Sequence, residues 1–172
     1  MTDAVAALLL AELDRRGQTL ATAESLTGGL LGTVITSVPG ASRSYLGGVI
    51  SYATQLKSEL AGVDEATLGD VGPVASRTAE EMAVGIARRC RADWGIATTG
   101  VAGPDPQDGH PVGLVFVAVA QPAESHVVVR EFALMGDRAA IRRDAVRGAL
   151  ELLAEVLGMP AGPSGVENLG KT

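Results

Sequence analysis

Ser25 and Lys57 are the two residues of this chain best suited to nucleophilic chemistry. Ser25 lies in the segment ESLTGG (residues 24–29), between a β-prone segment and an apolar segment with helical spacing. A serine hydroxyl needs a base at neutral pH, and a lysine can act as that base when burial or a nearby cation lowers its pKa. The only other lysine, Lys171, lies next to the C-terminus. The two residues therefore suggest a Ser-Lys pair for acyl transfer.

A tyrosine and a second turn of small residues are suited to complete such a site. Tyr52 precedes Lys57 by five residues, so it could relay a proton or hold the lysine. The segment TTGVAG (residues 98–103) follows a predicted strand. The hydroxyl of Thr99 and the backbone at Gly100 are suited to contact a substrate closely.

Two arginines near the C-terminal end of the chain could bind an anion. The segment GDRAAIRR (residues 136–143) predicts the start of a helix, with Asp137 as its N-cap. Arg138 and Arg142 are four residues apart, so they share one face of that helix. A pair of guanidinium groups in this position could hold a phosphate or a carboxylate.

Each candidate also has an ordinary structural interpretation. Ser25 alone is more typical of a helix cap than of a nucleophile, and Thr98 and Thr99 alone are more typical of a strand end. Spacing alone favours Tyr52 as a core aromatic residue and Lys57 as a solvated helix residue. The two arginines are typical of a solvated basic face on an acidic protein. Taken one at a time, the residues favour these structural roles.

The elements that must position these residues alternate between helix and strand. Apolar periodicity predicts helices over residues 3–16, 30–37, 54–61, 76–91 and 137–157. Strands are predicted over residues 18–22, 45–53, 94–100, 112–120 and 125–133, the last two as an antiparallel pair. This order predicts an α/β fold, a three-layer α/β/α sandwich with a mixed sheet of parallel strands plus an antiparallel hairpin. Ligands gather beyond the carboxyl ends of strands in such sheets, where Ser25 and Thr99 would lie.

Local signals add detail to this prediction. The buried stripe of the first helix is predicted to comprise Val5, Leu8, Leu9 and Leu13. The pair Gly47-Gly48 suggests a bulge or the close approach of another backbone. A turn is expected over residues 64–68, and Ser76 is expected to cap the helix that follows Gly72-Pro73.

Composition excludes several classes of protein. A chain of 172 residues is typical of one domain, and we expect it to span residues 1–159, with residues 160–172 as a mobile tail. The formal charge of −6 argues against a nucleic-acid partner. No apolar run reaches the roughly 18–20 residues that span a bilayer, and no cationic leader precedes the first leucines. We therefore expect no membrane partner and a cytoplasmic location.

The cysteine and histidines do not suggest a metal site. The single cysteine, Cys90, lies on an apolar helical stripe that predicts a packed thiol and allows no internal disulfide. His110 lies among prolines in a predicted loop, and His126 begins a hairpin strand, so neither is well placed for catalysis. Since no cluster of His and Asp accompanies them, we expect no catalytic metal and no cofactor.

Four segments in order resemble the C-terminal domain of the CinA family (competence/damage-inducible protein A). They are AESLTGG (residues 23–29), GVISY (residues 48–52) with Lys57 five residues on, TGVAGP (residues 99–104) and GDR (residues 136–138). The similarity extends over about residues 5–158. The family motif often has cysteine at the position of Leu26, a change that alters the pocket wall and leaves the serine in place.

The resemblance implies a hydrolase, nicotinamide mononucleotide deamidase. This activity converts nicotinamide mononucleotide and water into nicotinate mononucleotide and ammonia in pyridine nucleotide salvage. The resemblance makes Ser25 the nucleophile and Lys57 its general base, with Tyr52 beside them. The implied substrate contacts are Thr27, Gly28, Thr99, Gly100, Arg138 and Arg142. Among these, backbone amides near Thr27 and Gly28 would hold the oxyanion, and Arg142 with the Thr99 loop would bind the ribose phosphate.

The resemblance also bears on assembly and on alternative functions. The family often forms homodimers or larger homo-oligomers, and many members carry a further N-terminal domain that resembles molybdopterin-binding folds. With no room for that domain in this sequence, we expect the deamidase activity alone. The competence and damage roles in the family name find no support in any residue. Two alternatives remain: a non-catalytic nucleotide- or partner-binding module of the same fold, and an amidase for another small carboxamide.

Overall fold

The computed structural model describes residues 2–160 and confirms the predicted α/β architecture. The helices of this range are α1 (Thr2–Arg16), α2 (Leu30–Thr36), α3 (Thr54–Glu59), α4 (Glu65–Val71), α5 (Ser76–Cys90) and α6 (Arg138–Val156). The strands are β1 (Leu20–Glu24), β2 (Tyr45–Ile50), β3 (Trp94–Gly100), β4 (Leu114–Gln121) and β5 (His126–Ala133). Two short 3-10 turns, Ala41–Arg43 and Pro122–Glu124, complete the chain order.

The five strands form one mixed sheet in the order β2-β1-β3-β4-β5. Strand β1 pairs in parallel with both β2 and β3, whereas β4 runs antiparallel to β3 and to β5. The hairpin of β4 and β5 therefore makes the sheet mixed, as predicted. Because β1, β2 and β3 are parallel, their carboxyl ends meet at one edge of the sheet. The segments that follow these ends begin at Ser25, Ser51 and Val101.

Helices cover both faces of the sheet, and the two faces differ in side-chain size. On one face, leucines, isoleucines and valines pack with α1, α2 and α6. On the other face, the side chains under α5 are mostly alanines of β1, β3 and β4. At Gly95 an added Cβ would overlap the carbonyl oxygen of Ala83 in α5. The small side chains therefore let α5 lie close against the sheet.

The bulge predicted at Gly47-Gly48 is present at the start of β2. Leu20 pairs with Tyr45, whereas Ala21 pairs with Gly47, so Leu46 is the extra residue. The predicted close approach is also present, because a Cβ at Gly48 would overlap Thr22 of β1. The bulge lets β2 follow β1 to its end, where both strands lead into the candidate site.

Five local predictions were wrong. The second strand ends at Ile50, three residues before its predicted end. The first strand begins at Leu20 and continues to Glu24, two residues beyond its predicted end. Leu8 is 62% exposed, because the buried face of α1 uses Ala6, Leu9, Leu10 and Leu13. Residues 64–68 begin helix α4, whose first turn is capped by the Asp64 carboxylate on the amide of Ala66. Ser76 is the first residue of α5 and follows Ala75, which provides no side-chain cap.

Two expectations concern the ends of the chain and the membrane. The predicted tail over residues 160–172 lies, apart from Pro160, outside the described residues. Within residues 2–160, each helix is either too short or too polar to cross a bilayer.

Gly85 provides a test of how α5 positions the segment that carries Lys57. A Cβ at Gly85 would overlap the carbonyl oxygen of Ala61 and would lie 3.0 Å from Cα of Gly62, just after α3. We expect Gly85→Ala to lower the free energy of unfolding by about 2 kcal/mol, because backbone must move to admit the methyl group. Gly69→Ala in α4 is the matched control, since nothing lies within 4 Å of its added Cβ. In the control variant, the free energy of unfolding should rise by roughly 0.5–1 kcal/mol, because alanine has a higher helix propensity than glycine. Urea unfolding measures both, and equal effects would contradict the close packing.

Candidate active site

Ser25 and Lys57 are in direct contact beyond the carboxyl ends of β1 and β2. Nζ of Lys57 lies 2.7 Å from Oγ of Ser25 and 3.0 Å from the carbonyl oxygen of Ser51. Lys57 is only 2% exposed and Ser25 only 8% exposed. Lys57 is therefore a buried residue of α3, which excludes the interpretation of a solvated helix residue.

Burial lowers the pKa of the Lys57 ammonium from its ordinary value of 10.5 to about 8. The cause is desolvation, which disfavours the charged form. Within residues 2–160, no carboxylate forms an ion pair with Lys57 to offset this cost. A lysine in this condition is partly neutral near neutral pH and can accept a proton from a neighbouring hydroxyl.

Glu24, rather than Ser25, caps the helix that follows the turn. Its carboxylate accepts hydrogen bonds from the amides of Gly29 and Leu31, both at 3.0 Å, and of Gly32 at 2.8 Å. Glu24 is 2% exposed, and the amides at the start of α2, which have no partner within the helix, stabilise its negative charge. The helix-cap interpretation of Ser25 is therefore wrong. No role for Glu24 was predicted, although an acidic residue just before a glycine-rich turn and a helix is a recognisable signal.

The backbone of the turn after Ser25 is tied to β3. The amide of Ser25 donates to the carbonyl oxygen of Thr98 at 2.9 Å, and Oγ1 of Thr27 lies 2.8 Å from Oγ1 of Thr98. The amide of Gly28 donates to the carbonyl oxygen of Ser25 at 3.0 Å. The amide of Gly28, which was predicted to hold an oxyanion, is therefore already paired. In the described range, the amides of Leu26 and Thr27 have no hydrogen-bond acceptor.

The two predicted anion-binding arginines have different partners. Arg142 donates from Nε to the carbonyl oxygen of Leu26 at 3.1 Å and from Nη2 to that of Thr27 at 2.6 Å. Arg138 donates from Nη1 to the carbonyl oxygen of Gly103 and from Nη2 to Oη of Tyr52, both at 2.7 Å. Arg142 therefore braces the turn after Ser25, whereas Arg138 links two segments beside it.

Tyr52 and Arg138 lie at the surface. Tyr52 is 58% exposed, so it is not the core aromatic residue that its spacing favoured. Its hydroxyl accepts the Arg138 hydrogen bond, and its position between β2 and α3 puts it on the segment that leads to Lys57. The pair forms the outer rim of a site whose inner end is the contact of Ser25 with Lys57.

A cleft that is open to solvent and encloses about 90 Å³ connects the rim with the Ser25–Lys57 contact. Six of the predicted site residues line it: Ser25, Lys57, Tyr52, Thr99, Gly100 and Arg138. The lining residues do not include Thr27, Gly28 and Arg142, whose hydrogen bonds hold the turn after Ser25. Sequence reasoning missed three polar lining residues, Thr54, Asp105 and Gln107.

Thr99 lies deep in this cleft. It is 1% exposed, and its hydroxyl donates to the carbonyl oxygen of Pro73 at 2.7 Å, which leaves its oxygen as an acceptor. Leu26, which stands where the family often has cysteine, is 3% exposed and forms part of the cleft wall. The inner part of the cleft thus combines apolar wall with the hydroxyls of Ser25 and Thr99.

Comparison with known proteins places this chain in a family. The model of the CinA C-terminal domain matches residues 2–157. The chain belongs to the CinA C-terminal domain family. A CinA-like protein of Frankia casuarinae is 48% identical over 159 residues, which cover 92% of this chain and 36% of that protein. The chain therefore spans about a third of the length of the curated relatives it matches.

Solved structures show the same fold for this CinA domain. A competence-damaged protein (CinA) superfamily protein from Klebsiella pneumoniae superposes with a TM-score of 0.87 at 31% identity, covering 92% of this chain and 98% of that one. A competence/damage inducible protein from Agrobacterium tumefaciens gives 0.86 at 34% identity, covering 92% and 96%. The predicted family and fold are both confirmed.

The lowered pKa of Lys57 makes stability depend on pH in a defined direction. Between pH 8 and pH 10.5 the unfolded chain keeps the Lys57 proton that the folded CinA domain has released. The free energy of unfolding therefore rises with pH across this window. Methionine cannot titrate, so Lys57→Met is the reference. Relative to it, we expect the free energy of unfolding of the wild type to rise by about 3 kcal/mol between pH 8 and pH 10.5. Urea unfolding at several pH values measures the difference, and parallel curves for the two proteins would contradict the lowered pKa.

Proposed function

We propose that this CinA domain hydrolyses the carboxamide of nicotinamide mononucleotide, releasing ammonia and nicotinate mononucleotide. The observation that carries the proposal is the 2.7 Å contact between Nζ of Lys57 and Oγ of Ser25 at the buried end of a cleft. A hydroxyl beside a buried amine with a lowered pKa is an activated nucleophile. The family resemblance supplies the substrate.

In the first half of the reaction, neutral Lys57 takes the proton of Ser25. The alkoxide forms a bond to the carboxamide carbon, and the carbonyl oxygen becomes an oxyanion. The unpaired amides of Leu26 and Thr27 are the donors nearest in the chain to Ser25, and we assign them to this oxyanion. The carbon–nitrogen bond then breaks, and the leaving nitrogen takes the proton from the Lys57 ammonium to depart as ammonia.

In the second half, water hydrolyses the ester on Ser25. Lys57, neutral again, takes a proton from water, whose oxygen attacks the ester carbon. The bond to Ser25 Oγ breaks as that oxygen receives the proton back from Lys57. Nicotinate mononucleotide then leaves, and both residues return to their starting states. Each proton that Lys57 accepts is returned within the same half-reaction, so no other base is required.

The rim of the cleft suits the remainder of the substrate. Arg138 is the arginine that lines the cleft, and it replaces Arg142 in our proposal as the group that contacts the phosphate. Tyr52 lies beside Arg138, and its hydroxyl oxygen accepts a hydrogen bond from Nη2 of Arg138. Thr99 and Gly100 line the inner wall, where a hydroxyl oxygen and a close backbone favour binding of the nicotinamide ring and its amide.

Ammonia release from nicotinamide mononucleotide tests the proposed activity. We expect release by the wild type and by Ser42→Ala, an exposed serine outside the cleft, and none above background by Ser25→Ala. Lys57→Arg should lose at least about a hundredfold in kcat, because arginine stays protonated and cannot act as a base.

The outcome of this assay also separates the alternatives. Binding of the nucleotide without ammonia release would favour a non-catalytic module. Release from other small carboxamides in preference to the nucleotide would favour a different amidase. Full activity of Ser25→Ala or Lys57→Arg would remove the Ser-Lys pair from the mechanism.

Arg138→Gln tests how the phosphate is recognised. We expect KM for nicotinamide mononucleotide to rise about tenfold, as expected for loss of one charge-assisted hydrogen bond, with kcat changed much less. The riboside lacks the phosphate, so its kcat/KM should be the same for Arg138→Gln and for the wild type. Arg143→Gln, at an exposed position of α6 outside the cleft lining, is the control. Equal losses for both substrates would argue against a phosphate contact.

A further inference from the structure

A second buried hydroxyl accompanies the Ser25–Lys57 pair. In the part of the chain that the structure describes, two buried side-chain oxygens have no hydrogen-bond partner, Oγ of Ser44 and Oγ of Ser51. Ser51 is 0% exposed, and its own carbonyl oxygen accepts the hydrogen bond from Nζ of Lys57. Native proteins leave few buried hydroxyls unpaired, because such a group has lost its hydrogen bonds to water. The unpaired hydroxyl of Ser51 therefore calls for a physical reason.

Lys57 has one N–H more than it has acceptors. As an ammonium it has three N–H groups, and two are used on Ser25 Oγ and on the Ser51 carbonyl oxygen. As a neutral amine that accepts the Ser25 proton, it has two N–H groups and uses one on Ser51. In both states one N–H of a buried nitrogen is left over. Lys57 thus has an N–H without an acceptor, and Ser51, whose carbonyl oxygen it contacts, has a hydroxyl oxygen without a donor.

We propose that Ser51 is a positioning residue for Lys57. Its side-chain oxygen, Oγ, accepts the third N–H of Lys57 once Lys57 has become an ammonium. Rotation about χ1 moves Oγ of Ser51 between staggered positions without moving the backbone, so the contact at the carbonyl oxygen is kept. The inference rests on the proposed function for the role of Lys57 as base. Ser51 gives up no proton: the Ser25 proton passes to Lys57 and from there to the leaving ammonia.

The surroundings of Lys57 offer no competing charged partner. The other titratable or charged side chains that line the cleft are Tyr52, Asp105 and Arg138, and none forms a hydrogen bond with Lys57 among residues 2–160. The carboxylate of Glu24 is engaged with the amides of α2. In the described part of the chain, the hydrogen-bond partners of Lys57 belong to Ser25 and Ser51, and of these two residues Ser51 has a side-chain oxygen that is still unpaired.

Titration of Lys57 tests the pairing without reference to activity. The chain has two lysines, so carbon-13 labelling at the lysine ε-carbon gives two NMR signals, and the Lys57 signal is the one that Lys57→Met lacks. We expect Ser51→Ala to lower the titration midpoint of Lys57 by about one pH unit, because a hydrogen bond to a charged group is lost. Ser44→Ala removes the other unpaired hydroxyl, just before β2, and should leave the midpoint unchanged. An unchanged midpoint in Ser51→Ala would overturn the proposal.

Kinetics and stability complete the test. At a pH above both titration midpoints, where Lys57 is neutral in the wild type and in the variant, Ser51→Ala should lower kcat about tenfold with little change in KM, matching the shift of one pH unit. Ser51→Thr, which keeps the hydroxyl, should restore kcat. At that pH both serine-to-alanine variants should unfold at the wild-type urea midpoint or above it, because Ser44, and Ser51 beside a neutral Lys57, are unpaired buried groups. If Ser51→Thr fails to fold, the titration of Ser51→Ala decides alone. Absence of ammonia release by the wild type would defeat the proposed function, whereas the titration would still decide the role of Ser51.

Discussion

The burial of Lys57 beside Ser25 is the constraint on which the rest of the site depends. A lysine on a flexible four-carbon chain ordinarily keeps its ammonium in water, and this one is enclosed almost completely. Enclosure without a countercharge favours the neutral amine, which can take a proton, over the ammonium, which can only donate hydrogen bonds. A carboxylate partner would have reversed this effect by favouring the charged form. The lowered pKa of Lys57 therefore depends on the lack of an ion pair: among residues 2–160 no carboxylate pairs with Lys57, although Asp105 lines the same cleft.

The turn that carries Ser25 is held in place by side chains that do not line the cleft. Glu24 fixes its far end through the first amides of α2, and Arg142 of α6 holds the carbonyl oxygens in the middle. The threonine pair, Thr27 with Thr98, ties it to β3. Three elements thus fix a short segment whose amides would otherwise be free to rotate. The backbone of Ser25 is therefore fixed before any substrate arrives, which in the mechanism that we propose limits the reorganisation required during reaction.

Periodicity and turn chemistry were sufficient to predict most of the fold, and less of the site. The hairpin and the bulge at Gly47-Gly48 follow from local signals, so they could be predicted. The contact of Ser25 with Lys57 joins residues far apart in sequence, and family resemblance suggested it where spacing alone favoured the opposite. The directions of Arg138 and Arg142 could not be predicted, because they depend on where α6 begins relative to the turn. The role of Glu24 was missed since its partners become available only when the turn and α2 take their final geometry.

The packing of α5 against the segment after α3 has a consequence for the chain before folding is complete. Gly85 admits the backbone at Ala61 and Gly62, just after α3, the helix that carries Lys57. In a partly unfolded form in which α5 and α3 have both separated from the sheet, Lys57 is solvated and has the pKa of an ordinary lysine. In the mechanism that we propose, Ser25 then has no base, and its hydroxyl is no more reactive than that of free serine. Reactivity is in this sense a property of the fully assembled domain, so the proposed nucleophile is inert in nascent or damaged copies.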